Sequence, residues 1–173
     1  RRFVFDIDYR PVLWGLTSPG MGEQRFVASQ HVTRKLQEVI PLAHLVIGTE
    51  EEFHIAGGCE DTDEALRRLQ KLSQAVFVVK RGPLGCTVHA GGAALRGEGF
   101  PVEVFNGLGA GDGFAAGFLS GWLRDLPLEE SLKQFERGAQ GLGQLPALGA
   151  LFQMSLDRTV ARSAGRKRPA GQN

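Results

Sequence analysis

Ala75-Val76-Phe77-Val78-Val79 is an unbroken apolar run. A strand with one wet face alternates apolar and polar residues. A continuous run needs cover on both faces, as a strand of a parallel sheet has between layers of helices. Leu45-Val46-Ile47 and Phe3-Val4-Phe5-Asp6-Ile7 read the same way earlier in the chain. Between these runs the apolar spacing becomes helical. Val27, Val32, Leu36, Val39 and Ile40 predict a helix over 26–40, with Pro41 as its stop. Thr49 is placed to cap a short helix over Glu50–Ile55, whose three leading acids suit the positive end of a helix dipole. Gly57-Gly58 breaks it. Asp61 or Thr62 caps a further helix through Leu72, with Ala65, Leu66, Leu69 and Leu72 on its apolar side. Strands alternating with helices predict an α/β fold with a mainly parallel sheet.

Composition narrows the class. Of 173 residues, 42% are hydrophobic and the mean hydropathy is -0.12, values suited to one globular domain with a sizeable core. No apolar run approaches the roughly 18–20 residues that span a bilayer. Arg1-Arg2 is not followed by a long apolar segment, so no signal peptide is expected and the expected location is the cytoplasm. Cys59 and Cys86 stand apart from any CxxC spacing and read as reduced thiols, and the four histidines show no metal-binding spacing. Residues 137–173 hold six Lys/Arg and one Asp, against 14 and 18 basic and acidic residues before them. That basic end lacks interleaved aromatics, so a solvated tail is expected rather than a nucleic-acid contact.

Further along, Lys80-Arg81-Gly82-Pro83-Leu84-Gly85 predicts a turn into a hairpin strand over Cys86–His89, with Gly91-Gly92 turning next. Val102–Phe105 reads as another strand. A helix is expected from Ala110 to Leu123, with a small-residue face of Gly113, Ala116, Gly117, Ser120 and Gly121 set close against the sheet. After Gln134 the periodicity fades. The expected organisation is a domain over 1–134 and a divergent tail over 135–173.

The stretch NGLGAGDGFAAGF, from Asn106 to Phe118, carries the chemistry. A strand, a glycine-rich turn and a helix start together form an anion site. The first N–H groups of a helix have no intrahelical partner, and the dipole adds partial positive charge. Asp112 would repel an anion there unless it removes a proton from a hydroxyl beside the phosphate that hydroxyl attacks. A plain helix start with an acid in its first turn is the other reading of the same residues. The P-loop pattern GxxxxGK[ST] is absent, and Phe114 stands where the GxGxxG fingerprint needs glycine.

This stretch resembles the D-T-x-G-A-G-D-x-F signature of the ribokinase-like carbohydrate kinase family. Asp6–Trp14, DIDYRPVLW, is similar to that family's D-x-N-x-R-x-x-L-W. Thr49–Glu52 sits where the family has N-x-x-E, and Lys80–Gly85 where it has T-x-G-x-x-G. The wording is most similar to the inositol-catabolic branch of the family. The resemblance covers residues 3–134. It implies a three-layer αβα sandwich, lacking here the family's N-terminal part and lid. It implies ATP-dependent phosphorylation, with Mg2+ and with a monovalent cation as an option, of a small sugar or sugar acid. In this branch that is 5-dehydro-2-deoxy-D-gluconate, giving its 6-phosphate. By position it implies Asp112 as base, with the N–H groups of Gly109, Ala110 and Gly111 as the anion hole. Thr49, Lys80, Arg81, Gly82, Pro83, Leu84, Gly85 and Gly111 would line the nucleotide. Glu52 would serve Mg2+ through water.

Read without the family, Asp6 and Arg10 would pair to hold the loop after the first strand, and Lys80 would be a charge at a strand end. The sequence also departs from the pattern. Asn106 replaces Asp, Gly107 replaces Thr, Thr49 replaces Asn, and the family's helix after the signature is not matched beyond Gln134. The competing expectation is a truncated, non-catalytic nucleotide- or protein-binding module, whose open sheet edge would favour a homo-oligomer.

Overall fold

The computed structural model describes residues 1–18, 26–99 and 110–134. Its centre is a five-stranded sheet in the order β1-β2-β3-β4-β5: Val4–Asp6, Leu45–Thr49, Val76–Lys80, Cys86–Ala90 and Ala93–Gly97. The first three strands run parallel, with Val4 opposite Leu45 and Leu45 opposite Val76. The last two form an antiparallel edge, with Lys80 opposite Cys86 and Cys86 opposite Gly97. Val102–Phe105, expected as a strand, lies outside the described residues.

The side-chain period of two splits each apolar run between two helical layers. Val46, Phe77 and Val79 pack on one side with Val32 and Leu36 of α1 (Gln30–Val39), Phe53 and Ile55 of α2 (Glu50–Gly57), and Leu66 and Leu69 of α3 (Thr62–Leu72). Leu45, Ile47, Val78, Cys86 and Val88 pack on the other side with Phe114 and Phe118 of α4 (Ala110–Trp122) and with Leu132. The chain is thus an α-β-α sandwich around a parallel core, and the cover inferred from the unbroken runs is present on both faces.

The caps fall where the sequence places them. Thr49 Oγ1 accepts the N–H of Glu52, and Glu52 Oε2 accepts the N–H of Thr49 at 2.7 Å, a reciprocal capping box that starts α2. Asp61, rather than Thr62, caps α3, its Oδ1 accepting the N–H of Glu64 at 2.7 Å. The α2–α3 crossing is close because Gly57 has no side chain: a Cβ there would lie 2.6 Å from Ala65 Cα.

Three expectations change. The first helix begins at Gln30, not at 26, because the Tyr9 hydroxyl donates to Val27 O at 2.6 Å and Ser29 is extended, holding the lead-in outside the helix. Three residues of the small-residue face of α4, Ala116, Ser120 and Gly121, are not what meets the sheet. Phe114 and Phe118 are buried against it, Ala116 and Ser120 are exposed, and Gly121 meets Ser131 of the helix over 128–134. Two aromatic rings fill the space under a twisted sheet that a stripe of glycines would leave empty. Third, Asp6 and Arg10 do not pair. Arg10 bonds Asp8 at 3.2 Å, and Asp6 bonds Lys80 at 3.4 Å. Asp8 has φ 35, a left-handed conformation that turns the chain out of β1 and swings Arg10 away from Asp6.

Candidate active site at the carboxyl end of the parallel strands

β1, β2 and β3 end on Asp6, Thr49 and Lys80. Alternation places all three on the α4 side, because Val4, Leu45, Ile47, Val76 and Val78 pack there. The direction of α4 follows from its far end. Arg2, which precedes β1, donates from Nη1 to Trp122 O at 2.9 Å, lies 4.9 Å from the centre of the Trp122 ring, and forms an ion pair with Asp125. The carboxyl end of α4 therefore lies beside the amino end of β1. Its amino end, with Ala110, Gly111 and the exposed Asp112, points to the carboxyl end of the sheet. Open α/β sheets bind ligands at that end.

Lys80 is largely covered, its side chain 15% exposed, with its ammonium on Asp6. Thr49 spends its hydroxyl on the α2 cap. Glu52 is buried, and both its oxygens are engaged: Oε1 accepts the N–H of Tyr9 at 2.9 Å and Oε2 that of Thr49. Gly82-Pro83-Leu84 form a single 3-10 turn. That loop is closed by Arg81 N–H to Gly85 O at 2.8 Å and Gly85 N–H to Gly82 O at 3.0 Å. Gly85 has φ 86, and a Cβ on it would come within 2.2 Å of Gly97 O, so the loop lies flat on the end of β5. Arg81 turns to the opposite face, towards α2 and α3, where Nη2 meets Glu50 Oε1 at 3.2 Å. Ala110, Gly111 and Asp112 belong to the first turn of α4, while Asn106, Gly107 and Gly109 lie outside the described residues.

Sequence reading missed three partners: Asp6 for Lys80, Tyr9 for Glu52, and Glu50 for Arg81. Only the first left a local signal, an acid closing one apolar run and a base closing another. Among the described residues no group of three His, Cys, Asp or Glu could hold a metal ion. Tyr9, at the exit of β1, and His89, on the α2–α3 side of β4, have displaced pKa values. Burial raises that of the Tyr9 phenol, and burial followed by the Arg81 charge lowers that of His89. Among the described residues no helix is long and apolar enough to cross a membrane.

The model of the pfkB family carbohydrate kinases matches residues 23–135. The chain is similar to a 5-dehydro-2-deoxygluconokinase of Geobacillus kaustophilus strain HTA426, 28% identical over 135 residues that make up 75% of this chain and 37% of that protein. It is similar to a cytidine kinase of Thermococcus kodakarensis, 34% identical over 102 residues, 57% of this chain and 36% of that protein. The solved structure of a PfkB protein from Polaromonas sp. JS666 superposes with a TM-score of 0.62 at 28% identity, covering 87% of this chain and 46% of that one. The chain thus spans little more than a third of the length of the curated relatives.

Proposed function

The chain belongs to the pfkB family of carbohydrate kinases, and on that premise we propose that the carboxyl end of its parallel strands transfers the γ-phosphoryl of ATP to a hydroxyl of a small sugar or sugar acid. The acceptor proposed is 5-dehydro-2-deoxy-D-gluconate, giving its 6-phosphate. The names of several relatives support that choice, and the cytidine kinase is the competing indication.

One observation carries the reading: the first turn of α4, with Asp112, points to the same end of the sheet as Lys80. The N–H groups of Gly109, Ala110 and Gly111 would hold the transferring phosphoryl group and the charge it develops. Asp112 would take the proton of the acceptor hydroxyl as the hydroxyl oxygen bonds to the γ-phosphorus and the bond from that phosphorus to the β,γ-bridging oxygen breaks, releasing ADP. Lys80 would meet phosphate charge, and the backbone of Gly82–Gly85 would border the nucleotide. Thr49 and Glu52 would act as they are held, Thr49 through the start of α2 and Glu52 through water, since both Glu52 oxygens already accept backbone N–H groups. ATP as its magnesium complex supplies the phosphoryl group and shields its charge.

The test is calorimetric titration of Mg-ATP into the protein, into Asp112→Asn, and into a variant with Gly109→Asp and Gly111→Asp together. Saturable binding to the first two and none to the third is expected. ADP release is then compared between 5-dehydro-2-deoxy-D-gluconate and cytidine. A folded wild-type protein that ignores Mg-ATP would overturn the reading in favour of a non-catalytic module.

A further inference from the structure

Lys80 and Arg81 are adjacent cations at the end of β3, yet the strand period sends them to opposite faces. Lys80 goes to the α4 side with Asp6. Arg81 goes to the α2–α3 side, where its Nη2 bonds Glu50 Oε1 and the Thr62 hydroxyl donates to the same oxygen at 3.3 Å. Glu50 opens α2 and Thr62 opens α3, so one carboxylate gathers two helix starts and the loop after β3. The pair is two-thirds covered, with side chains 31% and 34% exposed. Arg81 Nε is buried without a hydrogen-bond partner among the described residues. An unpaired buried donor costs stability, so the guanidinium is not the most stable filling for this position. Its backbone does the work of the loop: Arg81 N–H reaches Gly85 O, and Arg81 O accepts the N–H of Leu84 at 3.1 Å.

We infer that Arg81 is a positioning residue, whose ion pair with Glu50 holds the Gly82–Gly85 loop and Lys80 at a fixed height over the carboxyl end of the sheet. This rests on the reading that the same end receives a nucleotide. Arg81 itself touches no nucleotide, because it lies on the face turned away from α4.

The experiment is a double-mutant cycle with Glu50→Gln, Arg81→Gln and the two combined, read by amide hydrogen exchange at Leu84 and Gly85 and by Mg-ATP calorimetry. Either single change should speed exchange at both amides about threefold or more and weaken Mg-ATP by a similar factor, and the double change should add little. Arg81→Lys should restore part of both. Unchanged exchange in Glu50→Gln overturns the inference. So does weaker Mg-ATP binding in Arg81→Gln with none in Glu50→Gln, which would mean direct contact. If the wild-type protein binds no Mg-ATP, the nucleotide reading fails, and the exchange data alone still decide whether the clamp exists.

Discussion

Glu52 Oε1 accepts the backbone N–H of Tyr9 at 2.9 Å across 43 positions of sequence. Its other oxygen closes the capping box with Thr49. One buried carboxylate therefore fixes the exit of β1 to the start of α2. Both bonds lie where an unmade one is costly, since the residue is only 7% exposed.

Glu52→Gln keeps the shape of the side chain and replaces one acceptor oxygen with a donor NH2, which must face a backbone N–H. A loss of about 1–3 kcal/mol in urea denaturation is expected, with faster amide exchange at Tyr9 and Thr49. A loss below about 0.5 kcal/mol, the scale of an ordinary surface change, would show that the bonds contribute nothing net.

Asp112 is exposed and sits in the first turn of α4, so removing its charge should leave the fold intact. In the proposed reaction, Asp112→Asn keeps Mg-ATP binding and lowers phosphoryl transfer by about 10²–10⁴-fold, the usual contribution of a general base. Initial-rate ADP assays on the protein and its variant measure this. Equal rates would remove Asp112 from the mechanism.

His89 gives a pH dependence of defined sign. Burial, then the Arg81 charge, lowers its pKa from 6.5, so the folded state favours the neutral ring. As pH falls through 6.5, the unfolded chain binds the proton first, and stability is lost until the folded pKa is passed. Above 6.5 the group contributes no slope. His89→Gln should therefore flatten the fall in melting temperature below pH 6.5 and leave the neutral range parallel. Coincident slopes at every pH would contradict this.

Gly57→Ala sets two effects against each other. Alanine is the better helix former by about 1 kcal/mol. Its methyl would lie 2.6 Å from both Cα and Cβ of Ala65, and helix backbone yields little. Overpacking of this kind costs about 1–3 kcal/mol, so net destabilisation is expected in thermal or urea unfolding. A more stable variant would mean that α2 and α3 separate readily.

The parallel core, the α2 and α3 caps and the α4 start were legible in the sequence because each depends on neighbours within a few positions. An unbroken Val-Phe-Val-Val run, a Thr three residues before a Glu, and an Asp behind Gly-Ala-Gly express local rules. The family signature was legible for the same reason. Other features needed the third dimension. Asp6 pairs with Lys80, 74 positions away, only because β1 and β3 flank β2 in parallel. Ala93–Gly97, a weak strand former by composition, is a strand because β4 offers it an edge. Phe114 and Phe118 of α4 are buried against the sheet, while Ala116 and Ser120 are exposed, because packing rewards filled volume. Lys80 and Arg81 look alike in the sequence and part company because successive residues of a strand face opposite sides, so only the layers above and below it decide what each one meets.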